Sequence, residues 1–116
     1  MDTQTTYKTF KDLTFDTRDW DNAQVGRLDL GNDITISVVG GGDMGGLYGD
    51  GVDNWEIAFF HDGDFVPLSA FDDVLGWQTP SDISRHMVDA QKNGVAWVNA
   101  LKAIRADSRE DLGLDK

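Results

Sequence analysis

With 116 residues the chain has room for one domain, and 40% apolar residues, four tryptophans among them, are enough for a core without covalent staples. The absence of cysteine excludes disulfides, zinc–thiolate sites and thiol nucleophiles. A formal charge of −11 works against binding to nucleic-acid phosphates or anionic membranes and favours cationic surfaces.

The chain opens with a polar lead-in, residues 1–10, expected to be poorly ordered. A short strand is expected around Asp12-Leu13-Thr14-Phe15, with Leu13 and Phe15 on one face. A hairpin follows. Leu28 and Leu30 alternate with polar neighbours, Gly31-Asn32-Asp33 turns the chain, and Ile34, Ile36 and Val38 alternate with Thr35, Ser37 and Val39. Residues 40–53 hold seven glycines and read as a flexible loop. Asn54 to Phe60 is a strand with Trp55, Ile57 and Phe59 on one side, and His61-Asp62-Gly63-Asp64 is a hairpin turn of the Asp-Gly kind. The return strand is Phe65-Val66-Pro67-Leu68, which Pro67 confines to an edge or ends.

After an acidic segment, Asp72 to Trp77, a helix starts at Thr79, a good N-cap, with Pro80 in the first helical position and Asp82 near the orphan amides. Ile83, Met87, Ala90, Gly94, Trp97, Leu101 and Ile104 keep helical phase through Asn93-Gly94. One long helix, or two nearly collinear ones, is therefore expected, with residues 107–116 fraying. The fold class is α+β: an antiparallel meander of four to five strands with a long C-terminal helix packed on one face, in a single domain over 1–116.

The location of the charge is more informative than its size. From Leu28 to Ser84 there are eleven acids (Asp29, Asp33, Asp43, Asp50, Asp53, Glu56, Asp62, Asp64, Asp72, Asp73 and Asp82) and no Lys or Arg, whereas the flanks balance. Nineteen of the twenty-one acids are Asp, a residue that favours turns and caps, so many could be local turn formers; a saline source is another explanation of the acidity.

Motifs for chemistry are weak. The glycine loop lies between two strands, holds Asp43, Asp50 and Asp53, and lacks Lys, which argues against a phosphate loop. Asp50, Asp53 and Glu56 offer hard oxygen ligands, so a calcium-binding module is an alternative, although the EF-hand spacing is missing. His61 and His86 are the only bases that titrate near neutrality, and no nucleophile elbow, metalloprotease helix or paired-carboxylate signature accompanies them. No catalytic residue, metal site or cofactor is assigned. Trp55 and Trp97 lie on core faces; Trp77 is either a staple under the helix start or an exposed anchor; Trp20, between Asp19 and Asp21, is the clearest surface anchor.

The segments Asn32 to Gly40, Leu47-Tyr48-Gly49, Trp55-Glu56-Ile57-Ala58 and Asp72 to Ile83 together resemble a group of small proteins encoded by bacteriophages and prophages. The resemblance spans residues 32–87 and implies a phage origin but no particular activity. The long acidic glycine loop and the extended C-terminal helix depart from the group's pattern.

These features lead to the expectation of a non-enzymatic, phage-type accessory protein of the host cytoplasm, inhibiting or modulating a host protein whose basic surface ordinarily holds nucleic acid. An anti-CRISPR or other anti-defence inhibitor fits by analogy, with Asp carboxylates standing in for phosphates. The expected partner-binding residues are Asp43, Asp50, Asp53, Asp62, Asp64, Asp72 and Asp73, with Tyr48 and Trp20 as anchors. The polar start and the absence of a long apolar run point away from secretion and membranes. The alternative is a virion or assembly protein that self-associates. The inhibitor reading requires the acids to form one face in space.

Overall fold

The structure is a computed structural model that describes residues 7–43, 48–69 and 72–111. A 3-10 turn, Phe10–Asp12, precedes six strands: β1 (Phe15–Thr17), β2 (Ala23–Gly31), β3 (Ile34–Gly41), β4 (Trp55–His61), β5 (Asp64–Phe65) and β6 (Val74–Gln78). Two consecutive helices, α1 (Pro80–Asn93) and α2 (Val95–Asp111), complete the α+β fold. All strand pairs are antiparallel, in the order β1-β2-β3-β4, with β5 and β6 both on the free edge of β4.

The alternation in β3 divides the sheet into two faces. Ile34, Ile36 and Val38 point to the helices and are buried, as are Trp55, Ile57 and Phe59 beside them on β4. Ile83, Met87 and Ala90 of α1 and Val98 of α2 close this core, each side chain fully buried. Burial of an apolar side chain of this size contributes roughly 2 kcal/mol, so this face carries most of the stability. Trp97 is half-buried and meets Phe59 edge-on at 4.9 Å, whereas Ile104 is exposed although it keeps the helical phase of the stripe.

Local chemistry accounts for the connections. Asn32 and Asp33 both take positive φ (54° and 61°), as do Asp62 and Gly63 (52° and 86°), the conformation of two-residue hairpin turns. Gly31 therefore belongs to the end of β2, where the register shifts, and not to the turn itself. Thr79 and Asp82 form a reciprocal capping box on α1. Gly94, at φ 56°, ends α1, and its added Cβ would meet the Asn32 side chain at 3.0 Å. The break is thus seated on the β2–β3 turn.

Several expectations are corrected. The first strand begins at Phe15, and residues 10–12 form a 3-10 turn. Residues 8–10 are tied down: Lys8 N–H donates to Gln91 Oε1 at 2.9 Å and Phe10 N–H to Ser84 Oγ at 3.0 Å. Residues 107–111 continue α2; residues 1–6 and 112–116 lie outside the described residues. β5 stops at Phe65 because the chain leaves the sheet before Pro67. It returns as β6, a strand in place of the expected acidic connector, since Val74 to Gln78 has no clean alternation.

Candidate partner-binding site

Antiparallel pairing places the β1–β2 turn, the loop between β3 and β4, and the end of β6 at one end of the sheet, and the β2–β3 and β4–β5 turns at the other. The first end is built with unusual local order. In the β1–β2 turn, Arg18 grips Asp21 with two N–H donors, Nε to Oδ1 at 2.9 Å and Nη2 to Oδ2 at 2.6 Å. The Arg18 guanidinium, then the Ala23 amide, hold the Asp21 carboxyl below its ordinary pKa, against the effect of its burial. The same guanidinium lies 4.2 Å from the centre of the Trp20 ring, which remains 68% exposed. Trp20 is therefore displayed on a braced turn.

The glycine loop docks on this turn and on β4. The Asp43 amide donates to the Asp21 carbonyl at 2.7 Å, and Asn22 Nδ2 donates to Asp43 Oδ2. Asp50 Oδ1 accepts the amides of Val52, Asp53 and Asn54, which lower its pKa in that order. Close backbone approach requires the glycines here. A Cβ on Gly49 would sit 2.5 Å from Trp55 Cα, and one on Gly40 2.8 Å from Gly51 Cα. Gly45, Gly46 and Leu47 lie outside the described residues.

Tyr48 connects this loop to β6. Its carbonyl accepts the Trp77 amide at 2.6 Å, its Cβ leaves no room for a side chain at Gly76, and its ring stands 6.4 Å from that of Trp77. Trp77 adopts φ 56°, a conformation an aromatic residue rarely takes, and this turns its indole outward at 61% exposure. Tyr48, whose ring it meets, is 58% exposed, and Val52 of the same loop is exposed as well. Trp77 is thus an anchor on the surface and not a staple under the helix. Arg18 and Val52, which no sequence motif marks, and Glu56, marked only as a hard oxygen donor, also belong to this end. Burial raises the Glu56 carboxyl above the usual 4.5, against the pull of the Tyr48 amide and Arg18.

The expected acidic residues do not form one face. Asp43, Asp50 and Asp53 lie at the loop end with Tyr48 and Trp20. Asp62 and Asp64 are exposed at the opposite end, next to Asp33, whose carbonyl accepts the Asp62 amide at 2.9 Å. Asp72 and Asp73 belong to a third region beside α2, where Arg105 Nη1 pairs with Asp73 Oδ1 at 2.6 Å. Asp29, Asp50 and Asp82 serve as local caps, and Asp82 also pairs with Arg85 at 3.4 Å. The segregation of charge in sequence is partly undone because basic residues of the flanks fold back onto the acidic middle.

The chemistry of other clusters is sparse. His86 Nε2 lies 3.1 Å from Gln78 Oε1, and burial holds its imidazole below the ordinary 6.5. Among the described residues, no group of three or more His, Asp or Glu side chains is placed to hold a metal ion. Asp50, Asp53 and Glu56 are not assembled into one, since Asp50 is turned to its own turn amides and Glu56 lies on the sheet. No described helix is long and apolar enough to cross a membrane. No family model, curated protein or solved structure matches the chain.

Proposed function

We propose that the chain is a binding protein that engages a basic surface of another protein through the loop end of its sheet. The observation that carries this reading is the set of exposed aromatic side chains, Trp20, Tyr48 and Trp77, mounted on hydrogen-bonded backbone among carboxylates that outnumber the single local base, Arg18. Tryptophan and tyrosine supply large contact areas with few rotatable bonds, and a backbone already ordered loses little entropy on association. Asp19, Asp43 and Asp53 around them steer a cationic partner and can occupy positions that phosphates fill in a nucleic-acid groove. The phage-type inhibitor of a host nucleic-acid-binding protein is the specific form of this reading, reduced to the carboxylates of the loop end, because the expected acids are divided among three regions and do not make one anionic face.

The test is capture of a partner from a lysate of the source cell at low ionic strength, using the wild type, Y48A/W77A and D62N/D64N as baits. A protein retained by the wild type and D62N/D64N, lost with Y48A/W77A, and released as salt rises supports the loop end as the site. Equal retention by Y48A/W77A, or affinity indifferent to salt, refutes it.

A further inference from the structure

The helices cover one face of the sheet, and among the described residues no helix packs on the other. Its cross-strand rows follow from the register. One row holds Val25, Val39 and Glu56; the next holds Arg27, Ser37, Ala58 and Val74; the third holds Asp29, Thr35, Phe60 and Phe65. A shallow depression of about 180 Å³ lies in this face, lined largely by Val39, Glu56, Ala58, Phe60, Phe65 and Val74. Phe65 is half exposed, and Phe60 is covered on one side by the guanidinium of Arg27, whose central carbon is 5.2 Å from the ring centre. Arg27 thus reaches across β3 to lie over β4.

Two charged groups stand on this face, Arg27 lying over the Phe60 ring and Glu56 accepting the Tyr48 amide with Arg18 as a further attraction. Neither Arg27 nor Glu56 takes part in an ion pair among the described residues. They cannot meet each other: Glu56 is four residues from Phe60 along one strand, about 13 Å. They do, however, sit symmetrically about Ala58, the anion two residues to one side and the cation over the residue two to the other. A surface with a base and an acid equidistant from an apolar centre is complementary to its own copy after a twofold rotation, the defining property of an isologous contact.

We propose that the open sheet face is a homodimer interface, with the twofold axis crossing the strands at the level of Arg27, Ser37 and Ala58. In this arrangement each Glu56 meets the Arg27 of the other copy, and Phe60 and Phe65 of each copy lose their exposure. The two sheets stack as in an aligned β-sandwich, about 10 Å apart. Asp29, at the rim, is already turned to the Gly31 amide at 2.9 Å and faces the valine row of the partner. The face measures on the order of 400 Å² in plan, four strands by six residues, so two copies bury about 800 Å² in all, below the roughly 1,200 Å² of stable specific interfaces, and the dimer is weak and concentration-dependent. The rotation sets the two loop ends at opposite poles, so the dimer is bivalent for the proposed partner. The inference goes beyond the loop-end reading and does not depend on it.

Sedimentation velocity over a concentration series up to millimolar tests the proposal, with R27E, E56R, their equimolar mixture and the double variant R27E/E56R. Wild type sediments as a monomer–dimer equilibrium. Each single variant places like charges across both contacts and weakens dimerisation at least about tenfold. The mixture restores both ion pairs in a heterodimer, and the double variant restores them in a homodimer. A far-UV spectrum and melting curve for each single variant establish that it is folded. A wild type that stays monomeric throughout overturns the proposal, as does a folded single variant that dimerises like wild type, or a mixture no tighter than its components. Capture through the loop end by Y48A/W77A and D62N/D64N is scored separately, so failure of one reading leaves the other standing.

Discussion

Arg105 is the strongest link between the C-terminal helix and the acidic middle of the chain, and its removal makes a quantitative test. Its side chain, 22% exposed, donates Nε and Nη2 to the Ser69 carbonyl at 3.2 and 3.0 Å, Nη2 to the Asp72 carbonyl at 2.8 Å, and Nη1 to Asp73 Oδ1 at 2.6 Å. A partly exposed ion pair alone is worth at most about 1 kcal/mol, whereas hydrogen bonds from a charged donor to half-buried carbonyls contribute about 1.5–3 kcal/mol. R105M therefore costs about 2 kcal/mol. At an unfolding entropy near 2.1 cal/mol/K per residue, that loss lowers Tm by about 8 °C for a chain of this length. D73N takes the charge from only one of the four contacts and lowers Tm by about 2–4 °C, since the carbonyls still hold the guanidinium. R105K falls between R105M and wild type, because a single ammonium cannot reach both carbonyls and the carboxylate as a planar fork does. Thermal melts followed by circular dichroism supply the comparison. A D73N cost equal to or above that of R105M, or an R105M melt within about 1 °C of wild type, refutes the reasoning.

Three further outcomes follow from local geometry. Gly49 and Gly63 respond differently to alanine: G49A drives a methyl into the Trp55 backbone and costs about 1–3 kcal/mol, while G63A meets nothing within 4 Å and costs only the positive-φ penalty, about 1 kcal/mol; urea unfolding resolves the pair. W77G melts above W77A, because both remove the indole but only glycine accepts φ 56° without strain, a difference of about 1 kcal/mol. The Asp50 carboxyl lies below its ordinary 3.8 in the folded chain, so its stabilisation is fully present above pH 3.8 and disappears as pH falls through the lower folded value. The gap in stability between wild type and D50N accordingly narrows as the pH is lowered below 3.8; a gap that stays constant in acid contradicts the triple-amide cap.

The placement of charge shows why a linear tally misleads. Eleven acids without a base between Leu28 and Ser84 suggest one anionic face, yet folding distributes them over two ends of a sheet and a loop beside α2. Asp is short, and three of these carboxylates (Asp29, Asp50 and Asp82) are engaged with amides two to four residues away. The loop end retains a set of exposed aromatic anchors, Trp20, Tyr48 and Trp77, together with carboxylates.

What the sequence by itself determined is whatever depends on neighbours in the chain. Period-two alternation marked β3 and β4 and their buried faces, the paired positive-φ turns were legible in Asn-Asp and Asp-Gly, and Thr79-Pro80 with Asp82 announced the start of α1. Gly94 was harder: the apolar phase continues through it, while in the fold it takes φ 56°, caps α1 by its bond to the Ala90 carbonyl and lies against Asn32. Tertiary structure decided everything that joins distant segments. β6 exists because the edge of β4 is left unpaired beyond β5, not because Val74 to Gln78 favours a strand. Trp77 faces outward because Tyr48 lies against Gly76, and Arg27 pairs with neither neighbour on β2 because it leans across β3 to Phe60. Periodicity encodes which side of an element is apolar; it carries no information about which element will lie alongside, and both proposed binding surfaces are made of such juxtapositions.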